Sequence, residues 1–168
     1  VLGQTSAGGG STITQQLAKQ LYSNTAESTS ERLLQKPIEW VIAIKLEKYY
    51  TKEEIITMYL NYFDFLHNAV GIKNASNVYF SKEPKDLKLE EAATLIGLCK
   101  NPSFFNPVRY PDRCRERRNV VLGQMLKAGK ITRGEYLMAT EKPLALNFKR
   151  SDHKDGIATY FREFLRQY

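Results

Sequence analysis

Three times along this chain a threonine stands three positions before a glutamine or glutamate, with apolar residues following at helical spacing. The pairs are Thr12 with Gln15, Thr51 with Glu54, and Thr132 with Glu135. This is the capping-box pattern. The hydroxyl accepts the N–H three residues on, and the longer side chain reaches back to the cap's own N–H, so two otherwise unpaired backbone donors are satisfied. No stretch alternates apolar and polar residues for more than a few positions. Nothing therefore competes with helix as the organising element, and the expected fold class is mostly α.

Periodicity then sets the elements. Ile13, Leu17 and Leu21 predict an amphipathic helix over 13–23. The polar, Ser/Thr-rich stretch 24–31 reads as a loop, and residues 1–10, ending in three glycines, as a flexible entry. Pro37 reads as the first turn of a helix running to Tyr50, because a missing N–H costs nothing there. Ile55, Met58, Tyr59 and Tyr62 give the helix after Thr51 its apolar face. Further helices are expected near 69–79, 87–99, 111–128, 132–139 and 156–167, with Pro111 opening one and Gly129 closing it. Two Asn-Pro pairs make 101–107 a turn-rich connection.

Within this pattern the run KPIEWVIAI at 36–44 holds one carboxylate, Glu39. A helix apolar on nearly every face is expected to be buried, and a buried charge needs a partner or a task. The dipole of a first turn would favour the charge, and Lys36, three residues earlier, can reach it. Two roles stay open: a first-turn ion pair, or a cleft carboxylate that orders cations gripping a phosphate.

The net charge of +7 over 168 residues favours an anionic partner, whether nucleic acid, membrane surface or phosphorylated ligand. No run of apolar residues is long enough to span a bilayer. With no signal peptide and Val1 at the start, the chain reads as a piece of a longer protein. Cys99 and Cys114 have neither metal-ligand spacing nor the number for a disulfide framework, and His67 and His153 have no acidic or Cys companions in metal spacing. Phosphate-loop, dinucleotide, HExxH and nucleophile-elbow motifs are absent from the sequence.

Three stretches have chemistry to offer. Glycines beside a helix start expose free N–H groups to an anion. Ser11 and Thr12 add hydroxyls there, and Gln15, Gln16 and Lys19 lie off the apolar face within a turn of one another. The competing reading is a capped surface helix. The stretch YTKEEIITMYLNYF presents Lys52, Tyr59 and Asn61. Residues 113–118 carry four arginines, a solvated basic face or a phosphate contact, with no aromatics interleaved in sequence.

Taken together and in this order, these stretches resemble the peptidoglycan glycosyltransferase domain of class A penicillin-binding proteins, glycosyltransferase family 51. The family pattern G-x-S-T-x-x-Q-Q is met by Gly9 to Gln16, and K-x-x-I-L-x-x-Y-L-N by Lys52 to Asn61 with Ile56 in place of Leu. R-R-x-x-V-L is met by Arg117 to Leu122, and R-K-x-x-E in part by Gln35 to Glu39, where Gln35 replaces Arg and Pro37 follows Lys36. YFSK at 79–82 and KNPSFFNP at 100–107 are smaller matches. The motifs cover most of 9–130.

The resemblance implies a lysozyme-like helical domain with a small membrane-associated lobe, filling 1–168 as a single unit. The tail 150–168 would lead toward a transpeptidase domain. It implies polymerisation of lipid II onto a growing glycan chain through β-1,4 bonds, with release of undecaprenyl pyrophosphate, at the outer face of a bacterial cytoplasmic membrane. Glu39 would be catalytic. Ser11, Thr12, Gln15, Gln16, Lys19, Lys36, Lys52 and Asn61 would bind substrate, and a moenomycin-type phosphoglycolipid would inhibit. A divalent cation (Mg or Mn) is compatible with the family, and nucleic acid is not an expected partner. The family's leading motif, E-D-x-x-F-x-x-H-x-G, supplies its general base and is not among these residues, so this chain alone is expected to be inactive. The competing readings are a lysozyme-like lytic transglycosylase or hydrolase and a basic helical binding module.

Overall fold

The computed structural model describes residues 11–22 and 29–149, with the side chains of 29–34 left aside. The expected entry at 1–10, the terminal helix at 156–167 and His153 lie outside the described residues. The order is α1 (Ile13–Tyr22), α2 (Thr29–Tyr49), α3 (Lys52–Tyr62), α4 (Ile72–Phe80), α5 (Leu89–Leu98), α6 (Pro111–Lys127) and α7 (Arg133–Glu141), with a short 3₁₀ turn at Pro84–Asp86. Among the described residues there is no strand, only a bridge between Asp64 and Val70. The mostly α class is what the chain has.

The chain divides into two compact units between Phe63 and Asp64. In the first, α1 packs against both α2 and α3. Its core takes Leu17 and Ala18 from α1, Ala43 and Leu46 from α2, Ile55 and Tyr59 from α3, and Phe63. Ala43 with Leu46, and Ile55 with Tyr59 and Phe63, are three or four residues apart, and buried Thr14 lies three and four before Leu17 and Ala18, the single-face spacing of a helix. Thr51 caps α3 with the complete reciprocal box: its hydroxyl accepts the Glu54 N–H at 3.3 Å, and the Thr51 N–H donates to the Glu54 carboxylate at 2.7 Å. The Thr51 N–H foremost, and then the Thr51 hydroxyl donating to Glu54 Oε2 at 2.9 Å, hold the Glu54 carboxyl below its ordinary range.

Helix α2 departs from the sequence reading in two ways. It begins at Thr29, so Pro37 lies inside it and residues 29–31 belong to helix, not loop; 24–28 lie outside the described residues. The proline forfeits one backbone bond without ending the helix. Glu39 is therefore not in a first turn, and the dipole, which fades beyond that turn, does not hold it. The burial is also inverted. Ile38, Trp40, Val41 and Ile44 are 58%, 53%, 54% and 66% exposed, whereas Glu39 is 3% exposed. The apolar residues point outward, and the charge shares the core-facing stripe with Ala43 and Leu46.

In the second unit α5 packs on α4, α6 and α7. Ala93, Leu122 and Ala139 form a buried cluster, with Leu89, Val121, Ile131 and Tyr136 packed around it. Gly129 takes a φ of +65° just after α6, as a helix stop requires. Thr132 and Glu135 close the third capping box. Glu91 binds Lys82 at 2.8 Å, and Glu90 binds Lys142 at 2.9 Å. The extended segment after α7 hydrogen-bonds the end of α4, with the Asn147 N–H on the Tyr79 carbonyl at 2.9 Å and the Lys149 N–H on Val78 at 2.8 Å.

The arginine run of α6 also differs from a solvated face. Arg118 is fully buried, and its guanidinium donates to the carbonyls of Lys142 at 2.8 Å and Thr140 at 3.0 Å and to Asn119 Oδ1 at 3.1 Å. Arg113 lies 4.7 Å from the Phe104 ring centroid and 4.8 Å from that of Tyr110, and Arg117 lies 5.8 Å from that of Phe105. The fold supplies the aromatics that the sequence does not interleave. Cys99 and Cys114 are free thiols, and burial pushes them up to about 12 and about 11.

Candidate functional site

The first unit brings most of the sequence-selected polar residues onto one set of three helices. At the start of α1, Thr12 accepts the Gln15 N–H at 3.2 Å, the first half of a capping box. The second half is replaced: the Gln15 side-chain oxygen takes the Ser11 hydroxyl at 3.2 Å instead of a backbone N–H. Gln16 is tied to α3, where the Tyr59 hydroxyl donates to Gln16 Oε1 at 3.0 Å. Both glutamine oxygens are thus occupied by hydroxyls. The Gln15 amide N–H groups have no partner among the described residues, and the Gln16 amide has only a long contact of 3.5 Å to the Ser11 carbonyl. The proton of Ser11 is spent on Gln15, so Ser11 positions an amide donor where the sequence suggested a direct one.

Lys19 is exposed, one turn beyond Gln15 and Gln16 on the same side of α1. Thus α1 presents amide N–H groups and an ammonium along one polar stripe, with Leu17 and Ala18 anchoring the opposite one.

On α2, Lys36 Nζ meets Glu39 Oε2 at 2.8 Å; the lysine side chain is half exposed and the carboxylate is buried. Lys36 is the partner of Glu39 among the described residues. A carboxylate buried on the core stripe has about four lone-pair sites, and a half-exposed lysine fills one of them. This is the geometry of a group that can take a further donor.

Lys52, the first residue of α3, joins Ile13, Thr14, Glu47, Tyr50, Ile55 and Ile56 around a groove of about 350 Å³. Asn61 is exposed near the end of α3, and no hydrogen bond or ion pair links it to the others. Two residues outside the expected substrate-binding set belong to this framework: Tyr59, which the sequence marks with Lys52 and Asn61 and whose phenol fixes Gln16, and buried Thr14. The four-residue step from Ile55 marked Tyr59 as core but gave no sign of its hydroxyl's use. Among the described residues no three His, Cys, Asp or Glu side chains converge to hold a metal ion, so the divalent cation finds no ligand set there.

A helical domain with a Ser-Thr helix start, a glutamine pair and a buried glutamate held by a half-exposed lysine defines a class. The profile of the transglycosylase family matches residues 1–126. The chain belongs to that family and is a glycosyltransferase domain. It is 41% identical over 160 residues to penicillin-binding protein 1A of Aquifex aeolicus, covering 95% of this chain and 21% of that protein. The penicillin-binding protein 1F of Bacillus subtilis is 40% identical over 159 residues, covering 95% of this chain and 22% of its own length. A crystal structure of penicillin-binding protein 1A from Haemophilus influenzae superposes with a TM-score of 0.55 at 29% identity, over 94% of this chain and 19% of that one. The chain thus spans about a fifth of the length of the relatives it matches.

Proposed function

We propose that this domain polymerises lipid II into β-1,4-linked glycan strands during bacterial cell-wall synthesis. The buried Glu39 paired to half-exposed Lys36 is the observation that carries this reading. In the proposed reaction the 4-hydroxyl of the incoming sugar attacks C1 of the growing chain with inversion. The C1–O bond to the lipid pyrophosphate breaks, its electron pair leaves with the phosphate oxygen, and the hydroxyl proton passes to a general base. The leaving pyrophosphate gains negative charge in the transition state, which prepositioned donors and cations stabilise. Lys19, Lys36 and the amides of Gln15 and Gln16 are suited to that task. Ser11 and Thr12 hold the α1 start in place, and Lys52 and Asn61 bind the rest of the substrate. Glu39 orders Lys36 and assists at the leaving oxygen.

The family's general base lies in a motif that these 168 residues do not contain. Activity therefore belongs to a protein that includes that motif, with this chain alone inactive, and in the parent a transpeptidase domain accompanies it. The exposed Ile38, Trp40, Val41 and Ile44 face supports association with the outer face of the cytoplasmic membrane. No described helix is long and apolar enough to cross a membrane.

The test is product analysis of the complete protein given purified lipid II or finished sacculi. Long glycan from lipid II supports the reading; soluble fragments from sacculi with no polymer would make the domain a hydrolase. In the same protein Lys19→Ala should weaken binding of a moenomycin-type phosphoglycolipid by about tenfold or more. Unchanged affinity by calorimetry would remove Lys19 from the phosphate site.

A further inference from the structure

The second unit holds a pocket of about 590 Å³ lined by Leu66, His67, Ser103, Asn106, Val108 and Arg109. One wall is a strained turn. Leu66, His67 and Asn68 have φ of 67°, 53° and 62°, three successive non-glycine residues in the left-handed region. Side chains disfavour this region because Cβ crowds the following carbonyl oxygen. The turn is pinned by the Phe65 N–H on the Ala69 carbonyl at 3.0 Å, the Leu66 N–H on Asp64 Oδ1 at 2.8 Å, and the buried Tyr79 hydroxyl on the Phe65 carbonyl at 2.6 Å. The His67 ring packs edge-on against Phe148, with centroids 5.0 Å apart.

Buried Asn106 organises the other wall. Its Oδ1 accepts the N–H groups of Val108 at 2.9 Å and Arg109 at 3.2 Å, and its Nδ2 lies 3.2 Å from His67 Nε2. An amide nitrogen only donates, so Nε2 is the acceptor of this pair. The two walls are joined through this bond. What is left facing the pocket is a guanidinium and a hydroxyl: Arg109 has no carboxylate partner and the Ser103 side chain no hydrogen bond among the described residues. Among the described residues no Asp or Glu lines the pocket. Leu66 and Val108 supply apolar surface beside these donors.

We propose that this pocket binds a small organic carboxylate. Arg109 and Ser103 hold the carboxylate group, and Leu66 and Val108 cover its apolar part. A planar guanidinium fork matches a carboxylate in two parallel hydrogen bonds. The apolar walls distinguish an organic acid from inorganic phosphate, which has nothing to bury against them. The proposal stands independently of the glycosyl-transfer reading.

Calorimetry on the 168-residue chain with N-acetylalanine, acetate and inorganic phosphate tests it. N-acetylalanine should bind most tightly. Arg109→Ala should weaken it by about tenfold or more, Ser103→Ala less, and Arg115→Ala, an exposed arginine outside the lining, not at all. Each variant is also melted; because Arg109 and Ser103 are exposed, the folds should hold. Absence of heat with N-acetylalanine, equal affinity in Arg109→Ala, or phosphate binding as tightly as the organic acid would overturn the proposal.

Discussion

Two buried charges, one in each unit, are held in opposite ways. Arg118 in α6 is enclosed, and each of its nitrogens donates to a fixed acceptor: two carbonyls just past and at the end of α7 and the side chain of its neighbour Asn119. Glu39 in α2 is almost as buried, but its partner among the described residues is a lysine half in solvent. Desolvating a charge costs several kcal/mol, recovered only when the surroundings supply its hydrogen bonds. Arg118 recovers that cost inside the fold. Glu39 does so only in part, while four neighbouring apolar side chains that could have taken its place stay outside. The first charge is scaffold. The second is, on the proposed function, retained for the work of the group.

The largest effect on stability should follow from Arg118→Ala. It opens a cavity and strips the Thr140 and Lys142 carbonyls of their donor, for a loss of about 3–5 kcal/mol in urea unfolding. A loss below about 1 kcal/mol would remove the contrast. Lys36→Met should cost less, about 1–3 kcal/mol, by leaving Glu39 buried without its cation. No loss at all would mean that the pair is as dispensable as a surface one. Smaller still, Thr51→Ala and Thr132→Ala should each cost about 1 kcal/mol through a lost cap. The caps carry a pH signature. Glu54 and Glu135 are held below the ordinary 4.5 by their bonds to Thr51 and Thr132. A depressed carboxyl stabilises above its unfolded value and loses that contribution as pH falls through the folded one. The gap between parent and Thr51→Ala should therefore narrow below pH 4.5; a gap that widens there would reverse the assignment.

The helices after Thr51 were legible because each start or stop has local chemistry. Capping boxes fix α3 and α7, while Pro111 and Gly129 bracket α6. Helix α2 was not, because Pro37 also reads as a helix start, and the Ser28–Glu31 pair, which has capping-box spacing at the true beginning, sits in a polar stretch that reads as loop. The facing of α2 was misread for a related reason: an apolar run shows that a surface seeks cover, not that this unit covers it. The residues proposed for the site are those the motifs imply, but their wiring was not legible. Gln16 meets Tyr59 across 43 positions, and no local pattern encodes that bond. The same holds for the aromatics beside Arg113 and Arg117, which a loop brings in.

The claim that Glu39 is kept for chemistry is tested most directly by Glu39→Gln in the complete protein, with polymerisation of purified lipid II and unfolding free energy measured on the same preparation. The account predicts polymerisation lower by about 10²–10³-fold, the scale of one lost transition-state contact, with stability within about 1 kcal/mol of the parent. Near-normal polymerisation, or a loss of activity that merely follows a loss of fold, would contradict it.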